Sequence, residues 1–151
     1  MSSYDSLKLS NQLCYPVYLC AKEIVNKYTK FLSDFGLSYT QYIILMELWE
    51  KERVRAKELS ESVGLDPSTL TPVLKKMEQK GLILKERCVN DERCFTITVT
   101  EEGYALRDRL LCVPEKMRKC FDLSPEEGMT MYKLINKIIA NLKEGDKDNG
   151  N

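Results

Sequence analysis

Cysteine thiols are the side chains in this sequence that are best suited to chemistry. The chain has no histidine, and it has six cysteines: Cys14, Cys20, Cys88, Cys94, Cys112 and Cys120. The absence of histidine excludes His-dependent catalytic triads, histidine metal ligands and histidine proton switches. No two cysteines form a Cys-X-X-Cys pair, so neither a zinc site nor a thioredoxin-like motif is expected. We therefore expect no metal, no cofactor and no catalytic residues.

Cys14 lies at the start of the first helical pattern, which runs from about Ser10 to Phe35. Pro16 is tolerated only in the first turn of a helix, because the N–H groups there have no helical partner in any case. This places Cys14 near the helix N-terminus, where the positive end of the helix dipole favours a thiolate. A thiolate is the nucleophile that an oxidant-sensing cysteine requires.

A second group of side chains suited to binding lies between residues 66 and 76. Asp66 is a good N-cap, and Pro67 then takes the first helical position. The exposed start of such a helix attracts phosphate, and this one has short hydroxyl side chains there, followed by lysines. The pattern is typical of a DNA recognition helix, although a capped surface helix with solvated lysines fits this stretch equally well. The candidate DNA-contacting residues are Asp66, Ser68, Thr69, Thr71, Lys75 and Lys76.

Length and composition limit the class of protein. The 151 residues suffice for one domain with a substantial core, and 43% hydrophobic against 30% charged residues is usual for a soluble globular protein. No apolar run is long enough to span a membrane and no signal-peptide pattern opens the chain, so we expect a cytoplasmic protein without a membrane partner. The formal net charge is zero. This argues against a non-specific nucleic-acid coating protein but allows a specific DNA binder with local basic patches.

The segments that flank the predicted recognition helix indicate how it is held. Residues 50–55 predict a charged connection, and residues 56–63 predict a short helix that a glycine turn joins to the recognition helix. Two short helices joined in this way form a helix-turn-helix. Residues 82–87 and 94–100 predict two strands joined by the polar link 89–93, which is a β-hairpin. A helix-turn-helix followed by a hairpin is a winged helix, so the fold class is mainly α with a small β-hairpin wing (α+β).

The hairpin carries its own candidates for DNA contact. Arg93 would enter the minor groove while the recognition helix occupies the major groove, with Asp91 holding the Arg93 side chain. An exposed salt bridge at the tip is the alternative. Cys88 and Cys94 flank the same loop, and their ordinary interpretation is a pair of inert thiols. A regulatory disulfide across the hairpin is the other interpretation.

The helices outside the winged lobe have more apolar surface than one domain needs. The first helix, within about residues 8–35, has two apolar stripes. The segment 101–144 is expected to kink or split at Pro114 and then to carry a further apolar stripe. Such faces suggest a helical interface in a homodimer. We therefore predict a single domain over residues 1–151, with a DNA-binding lobe at about 39–100 between dimerisation helices.

Four short motifs follow one another in a recognisable order: residues 11–14 (Asn-Gln-Leu-Cys), 39–42 (Tyr-Thr-Gln-Tyr), 65–72 (Leu-Asp-Pro-Ser-Thr-Leu-Thr-Pro) and 91–93 (Asp-Glu-Arg). With them the chain resembles the MarR family, specifically its OhrR-type organic-hydroperoxide-sensing branch, over roughly residues 8–142. The resemblance implies a dimeric winged-helix repressor of peroxide-defence genes. Such a repressor binds a pseudo-palindromic operator in double-stranded DNA and releases it when a reactive cysteine is oxidised by the effector, an organic hydroperoxide.

The same resemblance assigns roles to individual residues. Cys14 falls on the reactive cysteine of the family, and Tyr28 and Tyr39 fall on the tyrosines that hydrogen-bond it. Tyr18 falls on a nearby aromatic residue. Cys120 resembles the second cysteine of some members, which forms a disulfide with the reactive cysteine of the other subunit. One departure lies in the recognition helix, where the family commonly has Ser-Gly and this chain has Pro-Ser at residues 67–68.

Helix geometry constrains how the sensing site is assembled. Cys14 and Tyr28 are fourteen residues apart on one helix face, which is about 21 Å along the axis. They therefore cannot touch within one chain. If two first helices pack antiparallel about a two-fold axis, Cys14 of one meets Tyr28 of the other. We accordingly predict a sensing site that is built across the dimer.

Three other functions stay open on the sequence alone. A MarR-type regulator would respond to a small aromatic ligand, held between the dimerisation helices and the DNA-binding lobe, rather than to thiol oxidation. A thiol peroxidase or another cysteine enzyme is disfavoured, because the chain has no histidine and no basic cluster near Cys14. A helical interaction module without DNA would leave the winged-helix order unexplained.

Overall fold

The structure, a computed structural model, describes residues 3–148. The helices are α1 (Cys14–Leu32), α2 (Tyr39–Lys51), α3 (Ala56–Val63), α4 (Pro67–Gln79), α5 (Glu101–Arg109), α6 (Cys112–Phe121) and α7 (Pro125–Asp148), and the strands are β1 (Arg53–Arg55), β2 (Ile83–Cys88) and β3 (Asp91–Val99). The chain divides into two compact units on either side of the Cys112–Val113 peptide bond. The helix-turn-helix followed by a hairpin is confirmed, and the single domain over residues 1–151 stays a prediction.

Local signals set the boundary between the first two long helices. Cys14 is the first residue of α1, and Pro16 lies in its first turn, as predicted. Gly36 has a φ of 65°, a left-handed conformation that suits glycine and reverses the chain before α2. Ser38 then opens α2 with a capping box. Its hydroxyl accepts from the Gln41 N–H at 3.2 Å, and the Gln41 side chain accepts from the Ser38 N–H at 3.2 Å.

The buried core of the first unit gathers around α2 and the helix-turn-helix. The buried side chains of these helices are Tyr42, Ile44, Leu45, Leu48, Leu59, Leu70, Leu74 and Met77. Gly64, with a φ of 68°, makes the turn between α3 and α4. Because α3 and α4 bury their apolar faces against α2, the opposite face and the start of α4 are left exposed, as a recognition helix requires.

A three-stranded antiparallel sheet in the order β1-β3-β2 forms the wing and joins it to the helices. The charged connection predicted over residues 50–55 is wrong: α2 continues to Lys51, and β1 pairs with β3. Val54 of β1 is buried opposite Ile97, while the arginines on either side of Val54 face solvent. A strand of three residues depends on its partner more than on its own sequence, so the sequence pattern did not reveal it.

The hairpin of β2 and β3 has a shorter loop than the sequence predicts. The ladder shifts register after Arg87, and Cys88 pairs with Asp91. β3 therefore begins at Asp91, inside the link predicted over residues 89–93. A register shift of this kind bends a hairpin and increases its local twist.

Pro114 splits the C-terminal helical segment, as predicted. α5 ends at Arg109 and α6 begins at Cys112, so Pro114 takes the third position of α6, where an N–H would have no helical partner. Ser124 caps α7 through a reciprocal box with Glu127. The Ser124 hydroxyl accepts from the Glu127 N–H at 3.2 Å, and the Glu127 carboxylate accepts from the Ser124 N–H at 2.9 Å.

Two helices expose large apolar side chains. On α1 these are Tyr15, Val17, Tyr18, Leu19 and Val25, and on α7 they are Met129, Tyr132, Leu134, Ile138, Ile139 and Leu142. Exposed apolar surface of this extent is usual for an interface. Within residues 3–148, none of the helices combines the length and apolar character needed to cross a membrane.

Gly103 marks the closest approach between α5 and the sheet. A Cβ atom at this position would lie 2.4 Å from the Leu82 carbonyl oxygen and 2.5 Å from a Val99 methyl carbon. The Gly103 carbonyl also accepts a hydrogen bond from Trp49 Nε1 at 3.0 Å. We expect Gly103→Ala to lower the free energy of unfolding by about 1–3 kcal/mol, because the Leu82 carbonyl accepts from the Thr100 N–H at 3.0 Å and cannot yield without straining that bond. Urea unfolding followed by circular dichroism measures the change.

Gly128→Ala is the matched control for this substitution. Gly128 is also helical, but no atom outside its own helix lies within 4 Å of the added Cβ. This variant should be as stable as the wild type or slightly more stable, because alanine favours helix over glycine. Equal stability of the two alanine variants would contradict the close approach at Gly103.

Candidate functional site

Cys14 is exposed at the first position of α1. Leu13 takes the N-cap position, and its aliphatic side chain cannot accept a hydrogen bond from the first-turn N–H groups. The first turn of α1 therefore lacks a side-chain cap and presents the positive end of the helix dipole beside the thiol. The predicted place of Cys14 at a helix N-terminus is confirmed, and its role in sensing stays a prediction.

Three tyrosines form a cluster where the last turns of α1 meet the start of α2. The rings of Tyr28 and Tyr39 are stacked, with centroids 4.3 Å apart and planes 15° apart. Tyr42 lies one turn further along α2, with its ring centroid 5.8 Å from that of Tyr28. The sequence predicts Tyr28 and Tyr39 as members of the site but does not identify Tyr42. The spacing of three residues between Tyr39 and Tyr42 on one helix is the signal that could have identified it.

Burial raises the pKa of the phenols in this cluster further above neutral pH. It raises the pKa of Tyr39, and it raises the pKa of Tyr28 together with the charge that Tyr39 would carry. Burial, with smaller contributions from the neighbouring tyrosines and Cys112, raises the pKa of Tyr42 to about 12. Each phenol is therefore a hydrogen-bond donor at neutral pH. The cluster can donate to an anion that is brought beside it.

Cys14 and the tyrosine cluster lie at opposite ends of α1. The helix is continuous between Cys14 and Tyr28, and a rise of 1.5 Å per residue separates them by about 21 Å along the axis. Tyr18 lies one turn from Cys14 and is exposed, with Lys22 Nζ 5.3 Å from its ring centroid. One chain thus supplies the thiol at one end and the phenols at the other. It does not bring Cys14 together with Tyr28 and Tyr39.

The remaining cysteines outside the wing have different surroundings. Cys120 is exposed near the C-terminal end of α6, in the second compact unit. Cys112 is exposed at the end of the first unit, with its sulfur 4.0 Å from the Arg109 carbonyl oxygen. Cys20 is half-buried on α1. The disulfide between Cys14 and Cys120 of a partner stays a prediction.

The start of α4 is held by hydrogen bonds onto its capping residue. Asp66 accepts from the Thr69 N–H at 3.0 Å, from the Thr69 hydroxyl at 3.0 Å and from the Ser68 hydroxyl. These bonds, first that of Ser68 and then those of Thr69, hold the pKa of the Asp66 carboxyl below its usual value. The Thr71 hydroxyl donates to the Pro67 carbonyl at 2.8 Å. All three hydroxyls that are predicted to contact DNA therefore donate their hydrogens to groups of the protein itself. Their oxygen atoms keep lone pairs that can accept hydrogen bonds from outside.

The lysines that follow on α4 are not equivalent. Lys75 and Lys76 are exposed, as a contact with phosphate requires. Lys80, just after the helix, is bound to the protein instead. Its Nζ donates to Gln41 Oε1 at 3.1 Å and to the Gly36 carbonyl. Lys80 thus ties the end of α4 to the loop before α2.

Arg93 is exposed near the tip of the wing, as predicted. Asp91 Oδ1 accepts a hydrogen bond from the Arg93 backbone N–H at 2.9 Å. This contact corrects the expectation that Asp91 holds the Arg93 side chain, because the group that Asp91 binds is the backbone of Arg93. An aspartate followed two residues later by a backbone N–H forms an Asx-turn, which shapes the backbone and leaves the guanidinium to extend outward.

Arg53 and Arg55 extend the basic surface at the base of the wing, and the sequence pattern did not identify them. Together with Arg87 they line a cavity of about 550 Å³ that also borders Cys88 and Cys94. The alternation Arg-Val-Arg is a period-two signal, but three residues are too few to predict a strand. The pairing of β1 with β3 is what brings these arginines to the wing.

Cys88 and Cys94 form a disulfide across the hairpin, with Cα atoms 5.3 Å apart. The interpretation in which these residues face each other is confirmed, and the interpretation as two inert thiols is wrong. The Cys88 sulfur also lies 3.6 Å from the hydroxyl of Thr96. Across the part of the chain that the structure describes, no group of three or more His, Cys, Asp or Glu side chains is placed to hold a metal ion.

Residues 26–110 match the family described as transcriptional regulator SarA/Rot. The match covers more than half of the 151 residues and includes the whole winged lobe from α2 to β3. The chain belongs to this family of transcriptional regulators. The winged helix described above is therefore the fold of a SarA/Rot-family regulator.

Two relatives resemble this SarA/Rot-family regulator along nearly their whole length. It is 40% identical over 140 residues to the HTH-type transcriptional regulator SarZ of Staphylococcus aureus (strain MRSA252), covering 92% of this chain and 95% of the relative. It is 40% identical over 142 residues to the organic hydroperoxide resistance transcriptional regulator of Bacillus subtilis (strain 168), covering 94% of this chain and 95% of the relative. The predicted MarR-type, OhrR-like relationship is confirmed, and both relatives are regulators rather than enzymes.

The same fold occurs in AbfR, a protein of Staphylococcus epidermidis. Reduced AbfR bound to DNA matches with a TM-score of 0.76 and 29% identity, over 91% of this chain and 96% of that one. Overoxidized AbfR bound to DNA matches with a TM-score of 0.74 and 30% identity, over 91% of this chain and 97% of that one. The winged-helix fold is thereby confirmed by experimentally solved structures.

Tyr42→Phe should remove the last phenol of the regulator to ionise. Because burial favours the neutral form of Tyr42, the difference between its unfolded and folded pKa contributes to the stability of the folded state. This contribution is complete below pH 10 and is lost as the pH rises through the folded pKa of about 12. Phenolate absorbance, followed against pH, should show a late component in the wild type that is absent from Tyr42→Phe. Exposed Tyr132 provides the control, since Tyr132→Phe should leave the late component unchanged. Ionisation of all eight tyrosines in one step near pH 10 would contradict the burial of the cluster.

Proposed function

We propose that this protein is a DNA-binding transcriptional repressor that acts as a homodimer and senses organic hydroperoxides through oxidation of Cys14. The observation that carries the proposal is an exposed thiol at an uncapped helix N-terminus in a chain 40% identical to a regulator of organic hydroperoxide resistance. The solved complexes of reduced AbfR and of overoxidized AbfR with DNA support DNA binding by a regulator of this fold.

The winged lobe docks on double-stranded DNA through two elements. The start of α4 enters the major groove, with Asp66 holding the hydroxyls of Ser68, Thr69 and Thr71 in place. Lys75 and Lys76 neutralise phosphates, and Arg93 at the wing extends into the minor groove. A two-fold dimer presents two such lobes, so the operator is pseudo-palindromic.

The homodimer is supported by the apolar surface that α1 and α7 leave exposed in one chain. If two α1 helices pack antiparallel, the Cys14 thiol of one chain lies beside Tyr28 and Tyr39 of the other. The phenols, whose pKa burial raises further above neutral pH, then donate to the thiolate. The uncapped N-terminus of α1 favours the same charged form.

The sensing reaction follows from this arrangement. The Cys14 thiolate attacks an oxygen of the hydroperoxide, the O–O bond breaks, and the alkoxide leaves as an alcohol after taking a proton. Cys14 becomes a sulfenic acid. The thiol of Cys120 in the other subunit then attacks the Cys14 sulfur, a disulfide forms and water leaves. Two thiols are oxidised and one hydroperoxide is reduced to an alcohol and water.

Release of DNA follows from the geometry of the dimer. A bond between Cys14 and Cys120 of the partner joins α1 of one chain to α6 of the other. Since half-sites in DNA have a fixed separation, a change in the spacing of the two α4 helices lowers operator affinity. The output of the sensor is thus a change of distance between recognition helices, and no residue of α4 itself is oxidised.

A second candidate effector, a small aromatic acid, is favoured by one cavity of the first unit. This cavity, of about 470 Å³, is lined by Phe35, Leu82 and Leu106, and it carries the cations of Lys80 and Arg109 against one carboxylate, that of Glu102. Its apolar wall and basic groups suit an aromatic ring that bears a carboxylate. In this alternative, a Cys14→Ser protein would still release DNA on addition of the aromatic acid salicylate.

Cys14→Ser should abolish the response to hydroperoxide while leaving DNA binding intact. Fluorescence anisotropy with a labelled fragment of the gene's own upstream region measures affinity before and after addition of cumene hydroperoxide. We expect the wild type to lose about tenfold or more in affinity, which is within the usual range of allosteric coupling. Cys14→Ser should lose none, because serine forms no sulfenic acid.

The matched variants are Cys120→Ser and Cys20→Ser. Cys120→Ser should form no intersubunit crosslink on a non-reducing gel, and Cys20→Ser should behave as the wild type. A hydroperoxide response that survives in Cys14→Ser would overturn the sensing mechanism. It would leave the DNA-binding proposal standing.

Lys75→Ala should weaken binding to every DNA sequence by a similar factor and reduce the salt dependence of affinity. Loss of one phosphate contact changes the slope of log K against log salt by about 1. Thr71→Val should instead reduce the preference for the operator over unrelated DNA, because it removes a hydroxyl next to base edges. Titrations at several salt concentrations, with both DNA types, separate the two effects.

Lys133→Ala is the control for charge alone, since Lys133 lies on α7, outside the winged lobe. It removes the same charge from the protein and should leave both the slope and the preference unchanged. If Lys75→Ala and Thr71→Val both bound the operator as the wild type does, α4 would not be the recognition helix.

A further inference from the structure

The two wing cysteines are brought together by the local backbone. Cys88 ends β2 and Cys94 lies in β3, each next to a residue of the ladder pair Arg87–Phe95, and their Cα atoms are 5.3 Å apart. This separation is in the usual range for a disulfide. No movement of α1, α6 or a second chain is needed for the bond to form. The pair is therefore chemically independent of Cys14 and Cys120.

The surroundings of the pair favour reversible thiol chemistry. Both cysteines are half-buried and line the open cavity of about 550 Å³ at the base of the wing. Arg53, Arg55 and Arg87 line the same cavity, and positive charge nearby favours a thiolate. Glu58 and Asp91 on its wall reduce this positive charge, as does Glu86, whose carboxylate lies 3.9 Å from the Arg53 guanidinium, so Arg55 and Arg87 are the cations that remain. A small thiol can thus reach the bond through the cavity.

Thr96 distinguishes the two sulfurs. Its hydroxyl lies 3.6 Å from the Cys88 sulfur, and the residue is buried. A hydroxyl at this position can donate to a thiolate at Cys88 as that sulfur leaves. Attack on the disulfide is therefore favoured at Cys94, with Cys88 as the leaving group.

We propose that Cys88 and Cys94 form a second thiol–disulfide site, which exchanges with low-molecular-weight thiols and tunes operator affinity by ordering the wing. For reduction, an external thiolate attacks the Cys94 sulfur, the bond between Cys88 and Cys94 breaks, and Cys88 leaves as a thiolate. A second thiol then attacks the mixed disulfide, so that Cys94 is released as a thiolate that takes a proton. The two external thiols lose two electrons and become an external disulfide, and the sulfurs of Cys88 and Cys94 gain those electrons as they become thiols. Oxidation is the reverse reaction, with a low-molecular-weight disulfide as the oxidant.

The bond acts on the part of the wing that reaches DNA. It closes a ring that contains residues 89–93, including Arg93. In the oxidised form the backbone of Arg93 is already ordered, and binding DNA costs less conformational entropy. The oxidised wing should therefore bind the operator more tightly than the reduced wing, opposite in sense to oxidation of Cys14. This effect on DNA rests on the proposed function, whereas the thiol chemistry does not.

The test uses the full-length Cys14→Ser/Cys120→Ser protein in buffers of glutathione and glutathione disulfide. After the remaining thiols are blocked, trypsin cleaves behind Arg87, Arg93 and Arg107, so Cys88 and Cys94 fall on separate peptides, residues 88–93 and 94–107. Mass spectrometry should find these peptides crosslinked in oxidising buffer and separate in reducing buffer. Operator affinity, measured in the same buffers, should be about threefold to tenfold higher in the oxidised form, as preorganisation of a binding loop predicts.

Each outcome has one meaning. Absence of the crosslink at every glutathione ratio would overturn the site. A crosslink without a change in operator affinity would overturn its role in ordering the wing. A crosslink in a protein that binds no operator in either state would overturn the proposed DNA-binding function instead. In the control, Cys88→Ser/Cys94→Ser made in the same Cys14→Ser/Cys120→Ser protein, affinity should be the same in both buffers.

Thr96→Val tests the assigned leaving group. This variant keeps a β-branched side chain in β3 but lacks the hydroxyl beside Cys88. Its disulfide should be reduced more slowly by glutathione, by about threefold or more if the lost hydrogen bond to the thiolate is of ordinary strength. Thr96→Ser should restore the rate. Equal reduction rates in all three proteins would contradict the role of Thr96.

Discussion

The pairing of β3 with two strands at once holds the proposed DNA surface together. β1 precedes the helix-turn-helix along the chain and β2 follows it, so β3 joins both ends of that motif. Val54 and Ile97 are buried where β1 and β3 pair, and Gly103 lets α5 pack closely on the same sheet. Because backbone hydrogen bonds fix the register, the wing cannot slide relative to α4 without breaking the sheet. The two elements proposed to contact DNA therefore move as one body.

The length of α1 links sensing to assembly. A thiol at one end of a straight helix and phenols near its other end cannot form a site by bending, because a kink needs a proline or a comparable break inside the helix. Pro16 lies in the first turn of α1, where it breaks no helical hydrogen bond. In the proposed sensor, the partner for the thiol therefore comes from a second chain. An antiparallel copy would supply the phenols to both thiols by symmetry. The apolar side chains that α1 leaves exposed are the surface that such a copy would cover.

Features encoded by a few neighbouring residues could be predicted from the sequence. The caps at Ser38, Asp66 and Ser124 are local hydrogen bonds, and each begins the helix that it predicts. Features that depend on distant partners could not. β1 exists because β3 lies beside it, and the stacking of Tyr28 on Tyr39 depends on how α1 packs against α2. The disulfide of the wing was left undecided for the same reason, since its formation depends on a register that only the folded hairpin defines.

The hydrogen bonds at the start of α4 limit what its hydroxyls can recognise. The hydroxyls of Ser68 and Thr69 donate to Asp66, and that of Thr71 donates to a backbone carbonyl. A phosphate oxygen or a base carbonyl accepts hydrogen bonds and therefore needs a donor. One of these hydroxyls could donate to it only if its present hydrogen bond within the protein were broken. The outward lone pairs instead match the amino groups of adenine and cytosine, which are donors in the major groove. In the proposed complex with DNA, phosphate contacts would then fall to Lys75 and Lys76, and specificity and affinity would be carried by different residues of one helix.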